Sequence, residues 1–139
     1  MRKRVTVKKF NRSQSHRDAM RKNLLQALFR HGKIRTTLPK AKFVKPIAEK
    51  LITKAGENTN AARNVAHKWI FDAEVIETLF NDIAPRYIDQ PGGYTRIVKL
   101  GARQGDATEE AMLELIEVVK PTTKKDSKTD SDTTEKVSK

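Results

Sequence analysis

The segment Asn11–Arg17 alternates hydrogen-bonding and cationic side chains in a pattern that suits binding to phosphate and sugar oxygens. Its amide, hydroxyl and imidazole groups can each bond such oxygens, and the guanidinium groups of Arg12 and Arg17 match the shape of a phosphate. An apolar helical pattern follows the segment, so the free N–H groups of a helix N-terminus would add to the site. We interpret this segment as one that contacts a nucleic-acid backbone.

Side chains that could support catalysis or hold a metal are present, but their spacing favours neither role. The three histidines, His16, His31 and His67, show no metal-ligand spacing and lie among basic residues. The chain has no cysteine, which excludes disulfides, thiolate catalysis and cysteine-based zinc sites. Most acids fall where helix caps and solvated faces need them. The sequence therefore indicates no catalytic residue, no metal site, no cofactor and no small-molecule substrate.

Basic charge is concentrated at the start of the chain. The first fifty residues contain sixteen Lys or Arg and only Asp18 and Glu49 as acids, a net charge of +14, whereas the remaining 89 residues sum to −2. A field of one sign attracts polyanions, and nucleic acid is the commonest of these in cells. An anionic membrane surface, or a basic protein with no polyanionic partner, would show the same charge, so charge alone leaves these alternatives open.

The length of 139 residues predicts one folded domain with tails. We expect a basic extended arm over residues 1–15, a globular domain over 16–120 and a disordered polar tail over 121–139, which is almost devoid of apolar residues. The basic start lacks the apolar run of a signal peptide, and no segment approaches the roughly 18 apolar residues of a membrane span. These features favour a soluble cytoplasmic protein with no membrane partner.

Two helices are predicted in the basic half of the chain. The first runs from His16, with apolar residues on one face, and ends at Gly32. The second follows Thr37, whose side chain is expected to cap it, and continues to about Ala55. Pro46 interrupts this second pattern, so we expect a bend or a lost hydrogen bond beside it.

Two further helices are predicted in the middle of the chain. Small apolar residues from Ala61 to Trp69 indicate the third, and Asp72 has the position of a cap for the fourth, which Pro85 should stop. Trp69 and Phe80 lie on the apolar stripes of these helices. We expect both rings in the core, rather than as stacking platforms for bases.

Strands are predicted at three places. Lys33–Thr36 is a short candidate, and Tyr94–Leu100 alternates apolar and polar residues as a half-buried strand does. The segment Ala111–Val119 suits a strand and a short helix equally well. Periodicity alone does not decide between them.

Four segments stand in the order found in one bacterial family. They are Asn11–Arg17, Thr36–Lys42, Leu79–Tyr87 and Pro91–Ile97. With these motifs in register, the chain closely resembles the family of large-subunit ribosomal protein seventeen over roughly residues 1–119. Four motifs in register are far more specific than any one of them alone.

The resemblance implies an α/β two-layer (α+β) fold, with a small mixed three-stranded sheet packed against about four helices. It assigns strands near Ile34, at Tyr94–Leu100 and at Met112–Val118, so the ambiguous segment becomes a strand. It also implies a structural constituent of the large ribosomal subunit, located in the cytoplasm on the ribosome. Such a protein binds and stabilises folded large-subunit rRNA near where the nascent peptide leaves, beside neighbouring ribosomal proteins, and catalyses no reaction.

The candidate rRNA contacts combine the basic arm, the start of the first helix and positions carried over from the family. We expect most of the affinity from Arg2, Lys3, Arg4, Lys8, Lys9, Arg12, Arg17 and Arg21. Further candidates are Asn11, Ser13, Ser15, His16, Lys22, Arg35, Thr36, Thr37, Lys40 and Lys42, followed by Tyr94, Arg96 and Arg103. A nucleoid-type DNA-binding protein and an RNA-processing enzyme are the two alternatives from other classes.

Overall fold

Three strands and four helices form from the apolar patterns of residues 8–116, the part of the chain that this computed structural model describes. In chain order they are α1 (Gln14–His31), β1 (Lys33–Thr37), α2 (Leu38–Gly56), α3 (Asn60–His67), α4 (Ala73–Glu77), β2 (Thr95–Ala102) and β3 (Glu109–Leu115). The helices pack on one face of the sheet. The expected two-layer α+β fold is therefore confirmed.

The sheet has the order β1-β3-β2, with β3 at its centre. Ile34 of β1 and Ile97 of β2 both lie opposite Leu113, and both pairings are antiparallel. The sheet is thus antiparallel throughout rather than mixed. β3 confirms the strand that the resemblance assigned to the ambiguous segment. Its residues alternate in burial, because Ala111 and Leu113 are fully buried whereas Met112 and Glu114 are only half-buried. Residues 117 and 118 of that expected strand lie outside the described residues.

Helix α1 begins two residues earlier than the apolar pattern indicated. Ser13 precedes it with extended backbone, and its side-chain oxygen accepts a hydrogen bond from the His16 N–H. At the other end Gly32 has a φ of 73°, and its N–H donates to the Leu28 carbonyl at 2.8 Å. This left-handed conformation is the reason that a glycine ends the helix at the expected position.

Helix α2 differs from expectation at its start. Thr37 precedes the helix, but its side chain makes no capping hydrogen bond. A cap accepts from the second or third N–H of a helix, and Pro39 at the second position has none to give. Further along, the helix continues through Pro46, which is exposed and donates no bond to the Lys42 carbonyl.

The third and fourth helices also differ from expectation in their bounds. α3 ends at His67, so Trp69 lies just beyond it, half-buried against the core. Asp72 caps α4 as expected, accepting from the Glu74 N–H at 3.1 Å. Pro85 does not stop the helical backbone, which continues from α4 as a π-helical turn and then a 3₁₀ turn up to residue 87. Pro85 lies in the first turn of the 3₁₀ segment, where its missing N–H is not required.

The core lies between the helices and the inner face of the sheet. Phe80 is buried there, as expected, together with Ile70. The other fully buried large side chains are Leu25, Leu28, Phe29, Val44, Ile52, Leu79 and Leu113. The core therefore fixes α1, which carries five of the candidate contacts, and α2, which carries Lys40 and Lys42.

Some expected features lie outside the described residues. These are the candidate contacts Arg2, Lys3 and Arg4 and the tail over residues 121–139. Within residues 8–116, none of the helices is both long enough and apolar enough to cross a lipid bilayer.

Candidate nucleic-acid interface

The N-terminus of α1 exposes a group of polar side chains beside open backbone N–H groups. Ser13, Ser15 and His16 are exposed, and the hydroxyl oxygens of the two serines lie 3.2 Å apart. The first turn of this helix contains no acidic residue. Because the macrodipole places partial positive charge there, this end of α1 suits a phosphate.

The described end of the basic arm, Lys8–Arg12, folds against the body and is called the arm root below. The Arg12 N–H donates to the Lys9 carbonyl at 3.1 Å and closes a turn. Phe10 and Asn11 occupy the left-handed region, with φ values of 53° and 51°. Such a φ is uncommon for a bulky side chain such as Phe10, so tertiary contacts must hold it.

An aromatic contact stabilises the left-handed conformation of Phe10. The rings of Phe10 and Phe43 meet edge to face, with centroids 5.1 Å apart, and the Arg21 guanidinium lies 4.0 Å from the centroid of the Phe43 ring. Phe43 belongs to α2 and Arg21 to α1, so this cluster joins three parts of the chain. Lys40 lies one helical turn from Phe43 on the same face, and Lys42 is exposed beside it.

Arg17 is placed differently from the surface contact that the motif suggested. It is only 9% exposed, and its guanidinium donates to the Gln14 side chain. The Nε atoms of Arg17 and Arg21 are both buried and find no hydrogen-bond partner within residues 8–116. Arg21 donates through another nitrogen to Asp18 at 3.1 Å. A contact from Arg17 to RNA remains a prediction, and its observed contact is the hydrogen bond to Gln14 in the first turn of α1.

A second group of candidate arginines lies on the outer side of the sheet, away from the helices. Arg35 of β1 pairs with Glu110, and Arg96 of β2 pairs with Glu114 at 2.6 Å. Arg103 follows β2 and binds Asp106 at 2.6 Å. Each guanidinium thus has a carboxylate partner already. A phosphate would have to share or replace that partner.

The loop between β2 and β3 carries an ion pair that shifts the pKa of both its members. Hydrogen bonds from the Arg103 guanidinium, and then from Thr108, hold the pKa of Asp106 well below its usual range. The same pair raises the pKa of Arg103, mainly through the hydrogen bond to Asp106. Both side chains stay charged across the physiological pH range.

Three other candidates are partly or largely withdrawn from solvent. Tyr94 is 5% exposed, its ring lies 5.1 Å from that of Tyr87, and its oxygen accepts a hydrogen bond from Thr53. Thr36 and Thr37 are half-buried in β1. The observed contacts of Tyr94 are those of a core residue, and its role in RNA binding remains a prediction.

No arrangement for catalysis is seen in the described part of the chain. Residues 8–116 contain no group of three or more His, Asp or Glu residues placed to hold a metal ion. A groove of about 700 Å³ lies between α2 and α3, but most of its walls are apolar, from residues such as Ile47, Leu51 and Trp69.

The sequence pattern did not single out Phe71, which is 66% exposed. Its ring lies against the Lys22 ammonium, 4.6 Å from nitrogen to centroid. The chain Trp69-Ile70-Phe71 is apolar, and nothing in its spacing indicates which ring faces solvent. The one available signal is the position of Phe71 directly before the cap residue Asp72, outside the helical stripe.

Comparison with known proteins gives a consistent result. The profile of the family described as Ribosomal protein L17 matches residues 20–116. A Halothermothrix orenii protein named large ribosomal subunit protein bL17 is 50% identical over 110 residues, which cover 79% of this chain and 96% of that relative. The protein of the same name from Dictyoglomus thermophilum is 50% identical over 116 residues, 84% of this chain and 100% of the relative. The one from Finegoldia magna is 47% identical over 116 residues, with 84% and 88% covered.

Proposed function

Since this chain belongs to the ribosomal protein L17 family, we propose that it is a structural constituent of the large ribosomal subunit that binds and stabilises folded large-subunit rRNA. In this role it supports translation and catalyses no reaction. Its partners are the rRNA and neighbouring proteins of the subunit, and it is located in the cytoplasm on the ribosome.

The observation that carries the proposal is the basic end formed by the arm root, the start of α1 and the start of α2. The Phe10–Phe43 contact holds the arm root, which carries Lys9 and Arg12, beside the first half of α2, which carries Lys42. Asp18 is the sole acid in the first 48 residues of the sequence. A concentrated positive field at one end of a small domain favours an RNA backbone.

The mechanism is neutralisation of phosphates from RNA segments that lie close together. Folded RNA brings phosphates of several helices near one another, and cations placed between them relieve their repulsion. The deep major groove of A-form RNA is closed to side chains, so recognition rests on shape, 2′-hydroxyls and phosphate positions. In this scheme cations along the arm contact the phosphates, from Arg2, Lys3 and Arg4 to Lys8 and Lys9.

The arginines on the outer side of the sheet form a second contact region in this proposal. Arg35, Arg96 and Arg103 can bind phosphate, but their carboxylate partners reduce the net charge there. We therefore assign them to orientation of the protein on the RNA. The whole basic arm, its root included, and α1 supply most of the affinity.

Sedimentation of a cell lysate tests the proposal. We expect the protein to travel with the large subunit and to remain there after a salt wash that removes loosely bound basic proteins. A protein that stays at the top of the gradient, or that follows DNA, would contradict the proposal and favour the nucleoid alternative. Turnover of an RNA substrate by the purified protein would favour the processing enzyme instead.

A charge-matched pair of variants tests the position of the interface. Lys8→Gln with Lys9→Gln removes two charges from the arm root, and Lys50→Gln with Lys54→Gln removes two from the far half of α2. We expect the first pair to weaken rRNA binding more strongly than the second. If about 6 to 8 phosphates are neutralised, the wild-type log–log slope of affinity against salt should be about −5. A slope near zero would contradict the electrostatic account, and equal losses in both pairs would contradict the position of the interface.

A further inference from the structure

Phe71 is an exception among the phenylalanines of this protein. Phe29 and Phe80 are buried, and Phe10 and Phe43 cover each other, whereas Phe71 is 66% exposed. A single exposed apolar side chain is common and by itself indicates nothing. Its surroundings therefore decide whether the ring has a use.

The backbone on both sides of Phe71 is fixed. Ile70 is fully buried, and its N–H donates to the Ala66 carbonyl at 2.9 Å. On the other side Asp72 caps α4 and binds the Arg30 guanidinium. The ring is consequently presented to solvent from a rigid position, as a preorganised binding site requires.

The surroundings of the ring are cationic and polar. The Lys22 ammonium lies 4.6 Å from the ring centroid. Beside it on α1, a shallow cleft of about 270 Å³ is lined by Asn23, Gln26, Ala27, Arg30 and His31. The Arg30–Asp72 pair connects this cleft to the segment that carries Phe71. The segment that carries the Phe71 ring is thus linked to a cleft whose side-chain amides can both donate and accept hydrogen bonds.

We infer that Phe71, Lys22 and the adjoining cleft bind one unpaired nucleotide of the RNA, an inference that rests on the proposed function. The base stacks on the open face of the Phe71 ring, as single-stranded bases do on aromatic side chains. Lys22 and Arg30 lie within reach of its phosphates, and the amides of Asn23 and Gln26 face the base edge. An apolar protein partner fits less well, because it would bury the Lys22 ammonium without supplying an anion for it, whereas Arg30 already pairs with Asp72.

Binding of the full-length protein to large-subunit rRNA tests this inference. We expect Phe71→Ala to weaken binding about 10-fold, as loss of one base–aromatic stack does. Phe71→Tyr should retain the affinity, and Phe71→Leu should lose it, because leucine keeps the apolar contact but has no π face. The control is Ile88→Ala, which removes another large exposed apolar side chain, 72% exposed, and should leave binding unchanged.

Two additional readouts separate stacking from folding and from charge. Thermal unfolding of Phe71→Ala should match that of the wild type, and its salt slope should be unchanged because no phosphate contact is lost. In the variant complex, a reagent that acylates the 2′-hydroxyl of unconstrained nucleotides should modify one unpaired nucleotide more strongly than in the wild-type complex.

Wild-type affinity in Phe71→Ala, or in Phe71→Leu, would overturn the inference while leaving the proposed function intact. Failure of the wild-type protein itself to bind large-subunit rRNA would overturn the proposed function and the nucleotide site together. The same titration therefore distinguishes the two failures.

Discussion

At the scale of single residues, carboxylate partners decide which arginines are ready to meet a phosphate. Arg96 pairs with Glu114 through two guanidinium nitrogens, at 2.8 and 2.6 Å. Arg12 instead donates to the Met20 sulfur at 3.2 Å and has no carboxylate partner within residues 8–116. A hydrogen bond from a guanidinium to a neutral thioether is weaker than one to a carboxylate, so a phosphate can replace it more readily. Cations of equal formal charge therefore differ in what they can contribute to RNA binding.

This difference predicts unequal effects of two charge-matched substitutions. Arg12→Gln should weaken rRNA binding several-fold more than Arg96→Gln, because Arg96 must first share its bond with Glu114. Titration of rRNA with each variant at one fixed salt concentration measures the two losses. Equal losses would mean that the Glu114 pair has no influence on binding.

A second prediction at this scale concerns the loop carboxyl of Asp106. Hydrogen bonds from Arg103 and Thr108 lower its pKa, so Asp106 should remain ionised when ordinary carboxyls have already taken up a proton. A group with a lowered folded-state pKa stabilises the fold above its ordinary pKa, and this contribution is lost progressively as pH falls from the ordinary pKa through the lowered one. Carbon-detected NMR across an acid titration should show this low midpoint. Arg103→Gln should raise the midpoint, and an unchanged midpoint would refute the stated cause.

At the scale of elements, the Phe10–Phe43 contact determines where the basic arm leaves the body. Phe10→Ala keeps every charge but removes the contact that holds the left-handed turn at the arm root. We expect several-fold weaker rRNA binding with an unchanged salt slope, together with faster tryptic cleavage at Lys8, Lys9 and Arg12. Phe10→Tyr keeps the ring and should behave like the wild type. Wild-type protease resistance in Phe10→Ala would show that the turn does not depend on the ring.

The end of α1 allows a stability prediction with a matched control. Gly32 has a φ of 73°, so Gly32→Ala should destabilise the protein by about 1–2 kcal/mol although its Cβ would meet no atom within 4 Å. Gly56 ends α2 without a positive φ and has equally open surroundings. Gly56→Ala should therefore be neutral or stabilise by up to about 1 kcal/mol. Urea unfolding of both variants measures the difference, and an equal effect would refute the conformational explanation.

Elements with a strong local signal were predictable from the sequence, and those set by tertiary contacts were not. The glycine after α1 and the Asp72 cap are local, and both were confirmed. The Pro85 stop was wrong because a π-helical turn changes the helix geometry just before it. β3 could be assigned only through the family resemblance, since its pattern fits a helix equally well.

The candidate contacts follow the same division. The basic character of the arm root and α1 was evident from composition. The burial of Arg17, the carboxylate partners of the sheet arginines and the exposure of Phe71 depend on residues distant in sequence. No spacing rule in one sequence supplies these contacts.

At the scale of the whole molecule, the basic end and the core are built on the same two helices. The helices that carry the basic end also supply much of the core, with Leu25, Leu28 and Phe29 from α1 and Val44 and Ile52 from α2. The position of the cations is therefore as rigid as the core. The arm beyond the root contributes charge without contributing any of these core residues.

Two truncations separate the arm from the root on which it is held. Removal of residues 1–7 deletes Arg2, Lys3 and Arg4 but leaves the Phe10–Phe43 contact and the Ser13 cap. We expect rRNA binding about 10-fold weaker or more, a salt slope closer to zero by about 2 to 3, and unchanged thermal unfolding. Removal of residues 1–12 also exposes the Phe43 ring, so it should lower the unfolding temperature as well. The claim under test is that residues 1–7 contribute to RNA binding and not to folding stability. A lower unfolding temperature in the shorter truncation, or a salt slope that stays at the wild-type value, would refute it.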